Sequence, residues 1–207
     1  MGTDSNYTQQ DPEDGADDWL ADQFQIDQAF AHIRTIVQVK VISVTGGGVG
    51  VPPTVSVQPL VKVVDGQNNS TSHGTINNIQ VSRVGCGNGS VIADPVEGDV
   101  GWLAVCDRDS SVVATTSGKE SQPGSRRMFD LADGIYIGTL FGSEPTQYVQ
   151  FTKTGINIQD VNGNKIVTAA AGMTMTDVNA NQIQMKAGVV NIVTGVFQVN
   201  GVPVTIP

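Results

Sequence analysis

Charge vanishes toward the end of this 207-residue sequence: residues 187–207 carry no ionisable side chain at all. Between residues 155 and 207 the only charged side chains are Asp160, Lys165, Asp177 and Lys186. Aromatic residues make up 5% of the chain, too few for the deep lined pocket of an α/β enzyme. The two cysteines, Cys86 and Cys106, form no CxxC pair and cannot build a disulfide framework. They are read as small buried apolar residues, with one disulfide between them as the alternative, and their scarcity fits cytosolic assembly. Two histidines, His32 and His73, stand apart from clustered thiols or carboxylates, so no zinc site is expected. Neither has around it the motif that a serine or cysteine nucleophile requires. No stretch approaches the roughly 20 apolar residues of a spanning helix. The first apolar stretch follows an acidic run, unlike a secretory signal. The protein is therefore expected to be made soluble and to meet any membrane without a transmembrane helix.

Other chemistry is excluded by context. The acids Asp107, Asp109, Asp130 and Asp133 read as solvated turns; a glycosidase would need a carboxylate pair held about 5–10 Å apart. The glycines of residues 46–50 lack the Lys-Ser/Thr sequel of a phosphate loop and read as a hairpin turn. Arg126 and Arg127 are the only basic cluster, and aromatics are few, so no nucleic acid partner is expected. No enzymatic activity and no cofactor are expected.

What the chain does contain is extended structure. The formal charge of −9 is mostly one acidic leader: Asp4, Asp11, Glu13, Asp14, Asp17, Asp18, Asp22 and Asp27 all precede Arg34. Residues 1–16 read as solvated and disordered. A helix follows, capped by Asp17 or Asp18, with Trp19, Ile26, Phe30 and Ile33 at helical spacing and Leu20 and Phe24 alongside. Its apolar stripe packs either on its own domain or on a partner subunit. From residue 35 the period changes to two. Strands are predicted at 35–45 (TIVQVKVISVT), 54–64 (TVSVQPLVKVV), 75–84, 90–93, 100–106 and 134–141. Residues 65–74 and 108–127 read as polar loops. Such a set of short strands suits a small closed barrel such as an OB-fold, with a sandwich as the other solution.

The last sixty residues repeat. Residues 155–166 (GINIQDVNGNKI) return seventeen positions later as 172–183 (GMTMTDVNANQI), and a degenerate third unit opens at Gly188 (GVVNIVT). Each unit reads as strand, turn, strand, and a fixed period of this kind means stacked β-units. One face of each unit is apolar: Ile156 and Ile158, Met173 and Met175, Ile183 and Met185, Val190 and Ile192. A single chain would leave that face and its sheet edges in water. Three chains wound about one axis bury the faces and pair the edges, so these eight residues are the predicted core of a homotrimer. A single-chain β-helix and a hairpin packed on the barrel are the alternatives. Beyond them, Phe197, Val199, Val202, Pro203, Val204 and Ile206 form a tip without ions, which enters lipid at a lower desolvation cost than a charged one. The neutral outward positions Asn191, Thr194, Gln198, Asn200 and Thr205 agree with that, whereas burial alone accounts only for the apolar half.

The order of helix, barrel and repeat shaft resembles the central spike, or membrane-puncturing, proteins of contractile-tailed phage baseplates, in the short-spike form. Three stretches carry the likeness: 55–61 (VSVQPLV), 95–105 (PVEGDVGWLAV, with Asp107, Arg108 and Asp109 after it) and 127–135 (RMFDLADGI). The resemblance implies an acidic leader and docking helix over 1–34, an OB-fold barrel over 35–147, and an intertwined trimeric β-helix or β-prism over 148–207. It implies a homotrimer attached to a baseplate hub protein, carried at the virion's tail tip after assembly in the host cytoplasm. The implied action is mechanical piercing of the host outer membrane. Some members hold an apical iron through a His-x-His motif; this sequence has none, so apolar packing of Phe197, Val199, Val202 and Val204, or a separate capping protein, is expected to close the tip. The alternative function is a trimeric receptor- or glycan-binding tail-fibre module.

Overall fold

A computed structural model of the chain describes residues 18–64, 68–116, 118–139, 144–199 and 202–204. It is mainly β and divides into two units, Met1–Gly142 and Ser143–Pro207. The acidic leader, Asp17 as a cap, and Asn200, Thr205 and Ile206 lie outside the described residues. Helix α1 spans Asp18–Ala31 and runs along none of the strands that follow.

Five strands of the first unit close into a barrel: β1 (Ile36–Gly47), β2 (Val51–Pro59), β3 (Ile76–Val81), β4 (Val100–Val105) and β5 (Gly134–Thr139). Their order is β1-β2-β3-β5-β4, closing on β1; β3 and β5 are parallel and the other pairs antiparallel. Alternation fills the interior. Val39 and Val41 of β1, Val55 and Val57 of β2, Ile79, Leu103 and Tyr136 all point inward and are fully buried. Leu131 joins them from a single 3-10 turn, Leu131–Asp133. Each aliphatic side chain so buried contributes on the order of 1.5–3 kcal/mol.

The predicted strand at 54–64 ends earlier, at Pro59. Val63–Val64 instead pairs with Ser70–Thr71 in a small separate hairpin. The predicted strand at 90–93 is likewise no barrel member: Gly89–Val91 pairs with Val84–Cys86 as an exposed hairpin. Cys86 is therefore exposed rather than buried, Cys106 is half-buried, and both are free thiols. The stretch read as a polar loop at 108–127 holds a short helix, α2 (Ser111–Thr115).

Two polar devices shape the barrel's loops. Arg83 pairs with Asp94 at 2.7 Å, and together they grip both backbone groups of Gly48: its N–H donates to Asp94 and its carbonyl accepts from Arg83. The glycine-rich turn is thus pinned. In the 95–101 segment, the Asp99 carboxylate accepts from the Val96 N–H, and Gly98 adopts φ +96°. Gly101 lies under the Tyr136 ring, whose carbons stand 2.7 Å from where a Cβ would be.

In the second unit, β6 (Tyr148–Phe151), β7 (Ile156–Gln159), β8 (Lys165–Ala169), β9 (Gly172–Thr176), β10 (Gln182–Lys186) and β11 (Val189–Val193) form one six-stranded sheet. Each strand pairs antiparallel with the next, so the sheet is a plain meander. A last two-stranded hairpin, β12 (Gln198–Val199) with β13 (Val202–Pro203), follows it.

Candidate functional site

The register of the meander decides where its apolar residues go. Val149 faces Ile158, Ile158 faces Ile166, and the row continues through Met175 and Ile183 to Ile192. One apolar residue from every strand thus stands in a single line across the sheet. A second line on the same face begins with Phe151 and Ile156 and ends with Met173, Met185 and Val190. All eight residues predicted to share a face therefore do so, joined by Val149, Phe151 and Ile166. The opposite face carries Gln150, Asn157, Thr174, Gln184 and Asn191 in the corresponding row, with Val167 as its one aliphatic member.

Among the described residues only 196 and 197 come against the apolar face, and most of it stays open to solvent. Met175, Ile183, Met185 and Ile192 remain 40–47% exposed, and Phe151 is 79% exposed. Residues 196 and 197 come against the face, and a groove of about 670 Å³ opens there, lined by Ile158, Ile166, Met175, Ile183, Ile192 and Phe197. A contiguous apolar face left this exposed is the usual mark of an interaction surface.

The turns explain why the repeat has its period. In the first unit Asp160 accepts hydrogen bonds from the N–H groups of Asn162 and Asn164 and from the Asn164 side-chain amide. Asp177 receives the same three from Asn179 and Asn181. Those bonds, the Asn164 and Asn181 amides foremost, hold both carboxyls below the usual carboxylate range. Gly163 and its counterpart Ala180 both adopt positive φ, +90° and +64°. The Asn164 side-chain Oδ1 then accepts from the N–H of Val178, tying one turn to the next at 3.0 Å. At the other end of each unit a glycine admits a close crossing. A side chain on Gly155 would strike the Thr168 carbonyl, and one on Gly172 the Met185 carbonyl.

Of the predicted tip, Phe197 and Val204 are exposed, and the Val204 N–H donates to the Phe197 carbonyl at 2.7 Å. Val199, Val202 and Pro203 lie in the terminal hairpin β12–β13.

The acids of the barrel's loops depart from the sequence reading. Asp109 and Asp133 are buried, 5% and 8% exposed, rather than solvated. Arg127 bridges them, at 3.1 Å to Asp109 and 3.0 Å to Asp133. Ser111 and Ser125 also donate to Asp109, and this hydrogen bonding, with Arg127 beside it, drives its carboxyl far below the usual range. Burial pushes Asp133 the other way, and its Oδ2 has no hydrogen-bond partner. The Tyr136 hydroxyl, buried and near Asp99, rises to about 12. The network ties the α2 loop to the 3-10 turn. Sequence reading missed it because only the fold brings residues 109, 125, 127 and 133 together. Among the described residues no three His, Cys, Asp or Glu side chains gather as a metal-binding group, and no helix is long and apolar enough to cross a membrane.

Compared with protein-family models and with curated proteins, the sequence matches none.

Proposed function

We propose that this chain is the homotrimeric central spike of a contractile-tail baseplate, which pierces the host outer membrane mechanically. The observation that carries the proposal is the apolar row running unbroken across six strands and left largely uncovered in one chain. In this reading the barrel, with its β1-β2-β3-β5-β4 order, is an OB-fold that docks on the baseplate hub protein.

Three meanders form the walls of an intertwined triangular prism. Strands of about five residues make walls roughly 16 Å wide, which leaves ~5 Å from wall to axis. That depth takes one aliphatic side chain, and the central row holds only Val, Ile and Met. Six strands stacked at about 4.8 Å give a shaft ~24 Å long before the terminal hairpin. Phe197, Val199, Val202, Pro203, Val204 and Ile206 make the leading end. The charge-free residues 187–207 keep the desolvation cost of entering lipid low. The resemblance of residues 55–61, 95–105 and 127–135 to short-spike proteins supports three copies rather than two. The trimer is assembled in the host cytoplasm and carried at the tail tip of the virion.

The test is the solution mass by light scattering, with and without residues 148–207. The full chain is expected at about 65 kDa, three times its 21.7 kDa, and the truncated chain at a lower order of assembly. A mass of two chains would replace the prism with a two-sheet sandwich. A monomer in both forms would refute the proposal.

A further inference from the structure

Helix α1 exposes a stripe with a spacing of its own. Trp19, Gln23, Ile26, Phe30 and Ile33 follow one another at steps of four, three, four and three residues. This is the 3.5-residue period of a coiled-coil seam, and the half-buried Leu20 and Phe24 stand beside it. Trp19 is 68% exposed and Phe30 65% exposed, and Ile26 and Ile33 are exposed as well. The helix itself ends at Ala31, two residues short of Ile33. Past Ala31 the N–H groups of His32 and Ile33 donate to the carbonyls of Ala29 and Phe30, tightening the last turn.

Helices of this length are marginal alone in water, and α1 packs along no strand of its barrel. The flanks are acidic: Asp22 and Asp27 border the stripe, and no basic residue lies in the helix. Gln23 is the one polar member of the seam, and its amide donates to Asp27 on the same helix at 3.3 Å. A single polar residue in a seam sets register and copy number at some cost in stability.

We propose that the α1 stripe is covered by the α1 helices of the other two copies, as a parallel three-helix bundle on the spike's three-fold axis. The inference rests on the trimer reading above, because rotational symmetry makes equivalent helices parallel and brings identical seams together. Two heptads would not assemble unaided. Held by the shaft, the helices meet at an effective concentration in the millimolar range, and the bundle closes as an intramolecular step. Gln23 of each chain then faces its two equivalents across the axis, where the amides can bond one another.

The experiment uses the full chain in a Cys86→Ser/Cys106→Ala background, with Ile26→Cys in the seam and Gln25→Cys on the opposite side as control. Mild oxidation and non-reducing electrophoresis are read beside light scattering. The expected result is a trimer in which up to two of every three chains become disulfide-linked pairs through position 26, with little linkage through position 25. Gln23→Ile is expected to raise the temperature at which the helical circular dichroism signal is lost. A trimer that links no better at 26 than at 25 overturns the bundle and leaves the spike reading standing; the stripe then covers another surface. A monomer in light scattering overturns both.

Discussion

Replacing Gly172 with alanine places a methyl group on the Met185 carbonyl oxygen, at a residue whose φ is +137°. No rotamer relieves that overlap, because both partners are backbone. Relief requires β9 and β10 to part at the end away from the turn that joins them, which sacrifices one or two ladder hydrogen bonds of about 1 kcal/mol each. The unfavourable dihedral adds roughly 1–2 kcal/mol, and the less flexible unfolded chain returns about 0.4–1 kcal/mol, so the net cost is about 2–3 kcal/mol. Gly188 is the internal control. It also has positive φ, +78°, but a Cβ there meets nothing within 4 Å. Its alanine variant loses the dihedral term and regains about 0.4–1 kcal/mol from a less flexible unfolded chain, a net cost under ~1.5 kcal/mol. Thermal unfolding followed on the β-sheet circular dichroism band separates the two. At about 4–8 °C per kcal/mol for a unit of this size, Gly172→Ala is expected to melt roughly 10 °C or more below wild type, and Gly155→Ala, which meets the Thr168 carbonyl without a positive φ, to melt below wild type from the overlap alone. If Gly172→Ala and Gly188→Ala melt within a few degrees of each other, the close crossing is not what the glycine serves.

Ile183→Lys puts a charge in the central row and is expected to lower the solution mass to that of a monomer, whereas Gln184→Lys on the opposite face leaves it unchanged; equal behaviour would remove the apolar face as the assembly surface. Gly101→Ala drives a methyl into the Gly138 carbonyl and the Tyr136 ring and is expected to destabilise the barrel by roughly 1–3 kcal/mol or more in urea unfolding, with the sheet repeat unaffected. The folded pKa values of Asp160 and Asp177 lie below the ordinary 3.8, so their stabilisation is complete above about pH 5 and is lost progressively as pH falls through 3.8 to the folded values. Urea midpoints should drop toward acid, and less so for an Asp160→Asn/Asp177→Asn variant; a pH-independent difference between the two proteins would contradict this.

The sheet was legible in the sequence because its period-two pattern and its seventeen-residue repeat coincide. Ile156 and Ile158, then Met173 and Met175, fall on one face by simple counting, and the Asp-Val-Asn turn keeps the count in step. Barrel strand β1 was harder. Val41 and Ile42 are adjacent apolar residues, and the register slips between Val41 and Ser43, so Ile42 turns outward and Val44 returns toward the core. A bulge adds one residue to one strand without announcing it in composition. Strand extent failed at Pro59 for a different reason: residues 60–64 keep a strand-like composition, but β3 starts only at Ile76, opposite Val57, and Val63–Val64 pair with Ser70–Thr71 instead. The Asp109–Arg127–Asp133 network was illegible altogether. Carboxylates in a Ser- and Gly-rich loop look solvated until a distant arginine is folded between them.

The hydrogen bond from Val178 to Asn164 seats the second turn on the first. A structure built this way has a natural quantum of growth: one more seventeen-residue copy inserts two strands and needs no new partner for either neighbour. Length then changes in steps of about 10 Å, with the leading hairpin carried along unaltered. Reach becomes a quantity that duplication can adjust while the barrel and the tip stay as they are.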